Sequence, residues 1–355
     1  MQVKAWHLIG LMAVAVAPVW GQPTDGAQYW SVAKPDCSSL NETAVTIKND
    51  SGVTVGYSCY VTGTFVWLAA GGMWGTTIRA AAPASGAIGV DYTFYDQSGN
   101  DLSIDTTLDN DPSTLGGSND INFALYANQP AEVQLLGASD DAPGYNNTAT
   151  GSVYAIFYCP DAATCSDVLP QLLYSALPSE PWSLSVPITW DGADWTQWSA
   201  VGIENGADYR VSLVIYNEDT VAQRFAVQVF DSAGNLYTSG TTPIIPPLRN
   251  LGGGQYGEGG TYGVLLTDVV GDLPDDTYKI LVDGGSVYSA VEMLQIIGSS
   301  ATTLQVAYDS APGASAAARS VHRVSARKLH VGATPKQVFR TLPRHSSTHQ
   351  KAVKK

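Results

Sequence analysis

The sequence predicts an all-β body, and three observations carry that expectation. Residue alternation has a period near two, not 3.6, along Ala44–Lys48, Val53–Tyr57, Val90–Tyr95, Arg210–Tyr216 and Ala226–Phe230, runs rich in Val, Ile, Thr, Tyr and Phe. Turn clusters separate them: Asn49–Gly52, Asp96–Asn100, Asn217–Asp219 and Asp231–Asn235. No twelve-residue stretch carries an amphipathic helical pattern, and 35 Gly with 19 Pro suit a turn-rich chain. Short strands at this spacing indicate sandwiches or barrels.

From the N-terminus, Lys4 precedes the ten-residue apolar stretch Leu8–Ala17, too short to span a bilayer, and Val19 and Gly21 are small residues at −3 and −1. Residues 1–21 therefore read as a secretory signal cleaved before Gln22, with 22–36 as a linker. No later run of about 18 apolar residues suggests a transmembrane anchor. Two domains follow from a repeat. Val90–Asn100 (VDYTFYDQSGN) and Phe225–Asn235 (FAVQVFDSAGN) both end a strand in an aromatic followed by Asp-x-x-Gly-Asn, 135 residues apart. Asp suits the first position of a type I turn and Gly the position needing positive φ. Thr76–Ala80 and Arg210–Tyr216 are the expected partner strands of these hairpins. The division is 37–180 and 181–310, two tandem immunoglobulin-like β-sandwiches.

Residues 311–355 differ in composition: ten Lys/Arg, no acid, four His and a single aromatic, Phe339. Such a segment buries too little apolar area to offset its ordering entropy, so it reads as a disordered basic tail. It is either a solvated end or a contact for an anionic surface. Residues 22–310 hold all 32 acids and only seven bases, a charge of −25. That excludes a basic nucleic-acid-binding body.

Cys37, Cys59, Cys159 and Cys165 are an even set in an exported chain, which argues for Cys37–Cys59 and Cys159–Cys165 disulfides. A zinc site is the alternative, against which stand the spacings and the lack of His in the body.

Trp182–Asn235 resembles a tandem β-sandwich unit of proteins that bacteria secrete, frequent in acidobacteria. The residues that carry the resemblance are Val186-Pro187, Asp191, Trp195 or Trp198, Asn217 and Asp231–Asn235. Phe65, Gly71–Trp74 and Asp96–Asn100 carry it more loosely in the first half. The resemblance implies a fold and an extracytoplasmic place, in the periplasm, at the cell surface or outside the cell. It implies no catalytic residue.

All five His lie in the signal or the tail. Ser–His–Asp, Cys–His and His-ligated zinc chemistry are therefore excluded from the body. Carboxylate pairs for glycoside hydrolysis stay open among seven Glu and 25 Asp. Gly252-x-Gly254-x-x-Gly257 matches a dinucleotide pattern but lacks the flanking parallel strand and helix, so it reads as a loop. Asp96, Asn100, Asp101, Asp105, Asp109 and Asp111 supply hard oxygen ligands of the kind that suits calcium, the one cofactor suggested, although turn capping and solubility explain the same residues. Trp182, Trp190, Trp195 and Trp198 crowd one segment, either as a sandwich core or as a platform for sugar rings. The expectation is a secreted or cell-surface, non-enzymatic protein of adhesion or polymer binding, with extracellular polysaccharide or a cell-surface polymer as partner. The alternative is a carbohydrate-binding module or carboxylate-based glycoside hydrolase.

Overall fold

Alternating Val90, Tyr92 and Phe94 turn one face of their strand into a core, and the same period-two logic builds the whole described body. A computed structural model describes residues 28–48, 52–72, 74–108, 118–138, 148–176, 183–190, 196–205, 209–252, 255–297, 301–306 and 340–341. The signal segment, Asp109, Asp111, Trp182 and Trp195 lie outside the described residues.

The first half comprises β1 (Val45–Lys48), β2 (Thr54–Ala70), β3 (Trp74–Ala81), β4 (Ile88–Asp96), β5 (Ile104–Leu108), β6 (Asp120–Leu125), β7 (Pro130–Ala138), β8 (Ala149–Cys159), a single helical turn α1 (Ala162–Ser166), β9 (Gln171–Ala176), β10 (Ser183–Pro187) and β11 (Thr189–Trp190). One sheet runs β1-β2-β8-β4-β6, with β11 also on β2; the other runs β10-β9-β3-β7-β5. Their inner faces share one core, from Phe65, Tyr92, Phe94 and Phe157 to Ile78, Val133, Leu172 and Tyr174. β10 and β11 thus belong by pairing to the first half, although the sequence division assigned their residues to the second. Within the expected linker, Tyr29 and Trp30 are buried against the outer face of the first sheet, and Ser31 exchanges two 2.8 Å backbone hydrogen bonds with Tyr57.

Both expected disulfides are present, with Cα separations of 5.5 Å for Cys37–Cys59 and 5.4 Å for Cys159–Cys165. Cys59 and Cys159 face each other across β2 and β8, yet each bonds to a cysteine outside the sheet. With all four sulfurs so paired, the zinc alternative falls away. The Cys37–Cys59 bridge spans 22 residues and the other six, so loop-closure entropy favours the first. Replacing Cys37 and Cys59 together by Ser is expected to cost about 3 kcal/mol, and replacing the other pair about 2, in denaturant melts of the oxidised protein.

The second half comprises β12 (Gln197–Asn205), β13 (Tyr209–Asn217), β14 (Ala226–Phe230), β15 (Leu236–Thr241), β16 (Asn250–Gly252), β17 (Gln255–Tyr256), β18 (Thr261–Leu265), the turn α2 (Leu266–Val270), β19 (Asp276–Asp283), β20 (Ser289–Ile297) and β21 (Ala301–Val306). Sheets β12-β19-β14-β15 and β18-β13-β20-β21 enclose a second core that includes Leu213, Ile215, Val227, Val229, Ile280 and Met293. The glycine-rich segment carries the small β16–β17 pair, and strand β18 follows it, as a loop requires and a dinucleotide fold does not.

The two Asp-x-x-Gly-Asn turns are built alike. Asp96 Oδ1 accepts from the amide of Asn100 at 2.9 Å, and Asp231 Oδ1 from that of Asn235 at 2.8 Å. Gly99 and Gly234 take φ of 78° and 85°, the left-handed region that favours glycine. The expected partners are corrected. β4 pairs with β6 and β8, and β14 with β15 and β19, while Thr76–Ala80 and Arg210–Tyr216 lie in the facing sheets. In each half the strand before the turn is separated from the supposed partner by the core, because each chain segment crosses between layers.

A bulge joins the halves. Phe65 pairs with Val153 but Leu68 with Gly151, leaving Val66 and Trp67 opposite Ser152 alone. Val66 joins the second core, and Trp67 packs against both. The Trp67 ring packs against Gly263, where an added Cβ would come within 2.6 Å of it. Thr261 Oγ1 donates to the Val66 carbonyl at 2.8 Å, and the Tyr174 hydroxyl donates to the Trp67 carbonyl. The first turn reaches the same seam, where the Gln97 carbonyl accepts from the Thr261 amide at 3.0 Å and Asp101 pairs with Arg249 at 3.5 Å.

One part of the expected disordered tail is ordered into the fold. β22 (Arg340–Thr341) runs parallel to β6, with Arg340 opposite Phe123 and Thr341 opposite Ala124. Among the described residues no helix is long and apolar enough to cross a membrane.

Candidate functional site

Of the residues expected to bind calcium, Asp96, Asn100 and Asp101 are engaged with other groups, and Asp109 and Asp111 lie outside the described residues. Asp96 accepts from the Ser98 and Asn100 amides and from Asn100 Nδ2. Asp101 faces Arg249, and Asp105 sits at an irregularity in the pairing of β5 with β7. Among the described residues no group of three or more His, Cys, Asp or Glu is arranged to hold a metal. The tryptophans fit the core alternative where they are described. Trp190 is half-buried, edge-on to Phe157 at 5.9 Å between ring centres. Trp198 is 5% exposed and its indole N–H donates to the Ser289 carbonyl at 3.0 Å.

The exposed aromatic surface lies elsewhere, at the end of the second sandwich. Val229 pairs with Thr238 but Phe230 with Leu236, so Tyr237 is the extra residue of a bulge. Bulges re-aim side chains, and this one sets the Tyr237 ring 6.1 Å from that of Tyr278, at 53°. Tyr237 is 49% exposed, the one aromatic among the large exposed hydrophobic side chains of the described residues, with Leu236 beside it. Tyr278 is buried below, its hydroxyl donating to the Pro274 carbonyl at 2.7 Å. Partly buried Phe230 carries Lys279 Nζ at 5.9 Å from its ring centre, a cation–π geometry.

Three carboxylates act on Tyr278 through their charge. Burial raises the Tyr278 phenol above its ordinary pKa, and the charges of Asp276, Asp275 and Asp231, with Tyr237, push it further. Ser232 Oγ lies 3.4 Å from Asp276 Oδ2. The backbone and side-chain donors of Asn235 lower Asp231 below the usual carboxylate range, so it remains an anion. The arrangement can offer an apolar ring face and several hydroxyl-accepting oxygens side by side. Lys279 is the cation set beside it.

Two other carboxyls are unusual but sealed. Asp91 lies on the outer face of β4, opposite Asn122 and Ile156 and near Tyr158. Burial first, then repulsion from Asp120, pushes it up to about 7. Glu292 lies in the seam between the halves, close enough to Tyr174 for its charge to act on that phenol, and burial pushes it up to about 8. Asp91 Oδ1 and Glu292 Oε1 are buried and lack hydrogen-bond partners among the described residues. Both are 6% exposed or less, which favours neutral carboxyls within the packing over groups poised at a cleft.

Tyr237 escaped sequence reasoning because its exposure depends on a register shift. The faint signal is the adjacent pair Leu236-Tyr237 directly after a turn, which breaks strand alternation. No protein-family model matches the chain, and no curated protein matches it.

Proposed function

We propose that this is a secreted or cell-surface, non-enzymatic protein of two immunoglobulin-like units that binds an extracellular polysaccharide through the Tyr237 end of its second sandwich. One observation carries the proposal: a half-exposed tyrosine, re-aimed by a bulge, lies against Tyr278, whose phenol feels the charges of Asp276, Asp275 and Asp231. Aromatic faces supply large contact area at low entropic cost, and carboxylates accept hydrogen bonds from sugar hydroxyls. The local negative charge favours a neutral polymer over an acidic one. The basic tail adds salt-sensitive attraction to anionic surfaces, a separate contribution. The likeness to secreted bacterial tandem sandwiches and the two disulfides support the extracytoplasmic place.

The test is retention of the purified protein on insoluble neutral polysaccharides, followed by an assay for released reducing sugar. Retention without release is the expected outcome. Release of reducing sugar would favour a carboxylate-based hydrolase instead.

A further inference from the structure

The open edge of β6 carries a second inference, independent of the polysaccharide proposal. β6 pairs with β4 on one side, and on its other side the only described neighbour is β22. An unpaired edge presents a row of backbone donors and acceptors to any strand-forming segment. We propose that the edge of β6 is a strand-acceptor site whose occupant is the chain's own segment 338–342, so that the basic tail is anchored on the first sandwich.

The pairing of Arg340 with Phe123 and Thr341 with Ala124 places two residues of that segment next to the edge strand. The sequence explains why this part of the tail is chosen. Residues 338–342 read Val-Phe-Arg-Thr-Leu, a run of strand-forming residues in a segment otherwise rich in Ser, Ala, Lys, Arg and His, and it contains the one aromatic of the tail. Pro335 and Pro343 bracket the run. Proline lacks an amide donor, so it limits a strand at its ends and is tolerated at a sheet edge. Charge favours the encounter, because the tail's ten bases meet a body of 32 acids and seven bases, with Asp120 at the start of β6. Length permits it too. The 33 residues between Val306 and Arg340 could span on the order of 110 Å if extended, far more than a sandwich is long. The anchored strand closes the edge against pairing with other chains.

Hydrogen–deuterium exchange of the intact protein tests the assignment. The amides of 338–342 are expected to exchange at least tenfold more slowly than those of the tail's other segments. Thr341→Pro removes one amide donor and disfavours pairing of its neighbour. It is expected to speed exchange in 120–125 about tenfold, leaving β8 unchanged, while Thr341→Ala retains the protection. Intrinsic, unprotected exchange in 338–342, or no effect of Thr341→Pro on β6, would overturn the proposal. Protection that grows with protein concentration would also overturn it, because the occupant would then be the tail of a second copy.

Discussion

Trp67→Ala is expected to destabilise the protein by about 3–5 kcal/mol and to split its unfolding into two transitions. The ring fills the seam between two cores, so its removal opens a void that neither sandwich can close alone. Gly263→Val should act at the same place by overpacking, since even a Cβ there would lie 2.6 Å from the Trp67 ring. Each sandwich keeps its own sheets and inner core in both variants. The loss should therefore fall on the coupling between them. Calorimetry is the direct measurement: one transition in the native protein, two in either variant. A single transition shifted by less than about 1 kcal/mol would mean that the bulge is incidental to how the halves are joined.

Raising the pH from 4 to 9 is expected to destabilise the protein, and Glu292→Gln to remove much of that loss. The Glu292 carboxyl is raised from an ordinary 4.5 to about 8 in the folded state. The unfolded chain therefore releases this proton at lower pH than the native chain does. Stability from this group is complete below about 4.5 and is lost as pH rises towards 8, where the buried carboxyl must ionise or the seam must open. Asp91 acts with the same sign between 3.8 and about 7. Each unit of difference corresponds to about 1.4 kcal/mol, so Glu292 alone can contribute several kcal/mol at alkaline pH. Glutamine has nearly the same shape and no charge. The variant should match the native protein at pH 4 and exceed it by about 3 kcal/mol at pH 8.5. Parallel stability curves for the two proteins across this range would show that Glu292 is solvated in the folded state.

The strands were the most legible part of the sequence, because runs of β-branched and aromatic residues with period-two alternation mark them, as in Val90–Tyr95, which is buried on both faces, and Ala226–Phe230, which alternates in burial. Both Asp-x-x-Gly-Asn turns were legible down to their hydrogen bonds, since an Asp side chain caps its own turn without help from distant residues. Strand partners were not. Thr76–Ala80 and Arg210–Tyr216 precede their supposed hairpins in sequence but cross to the facing sheet, and no local pattern records that crossing. Trp67 and Tyr237 were invisible as a joint and as a surface because each depends on one extra residue in a pairing register. The four crowded tryptophans drew attention by number, whereas the exposed ring is a tyrosine beside an acidic turn.

Affinity electrophoresis of the native protein and Tyr237→Ala through gels containing soluble neutral polysaccharide is the most direct measurement of the proposed function. Leu169→Ser serves as the control, because Leu169 is exposed and lies in the first half, ahead of β9 and outside the second pair of sheets. The native protein and the control should be retarded alike by at least one polymer. Tyr237→Ala should lose about tenfold in affinity or more, with an unchanged melting temperature, as expected when a central aromatic contact is removed. Equal retardation of all three proteins, or none by any neutral polymer, would contradict polysaccharide binding at this end of the molecule.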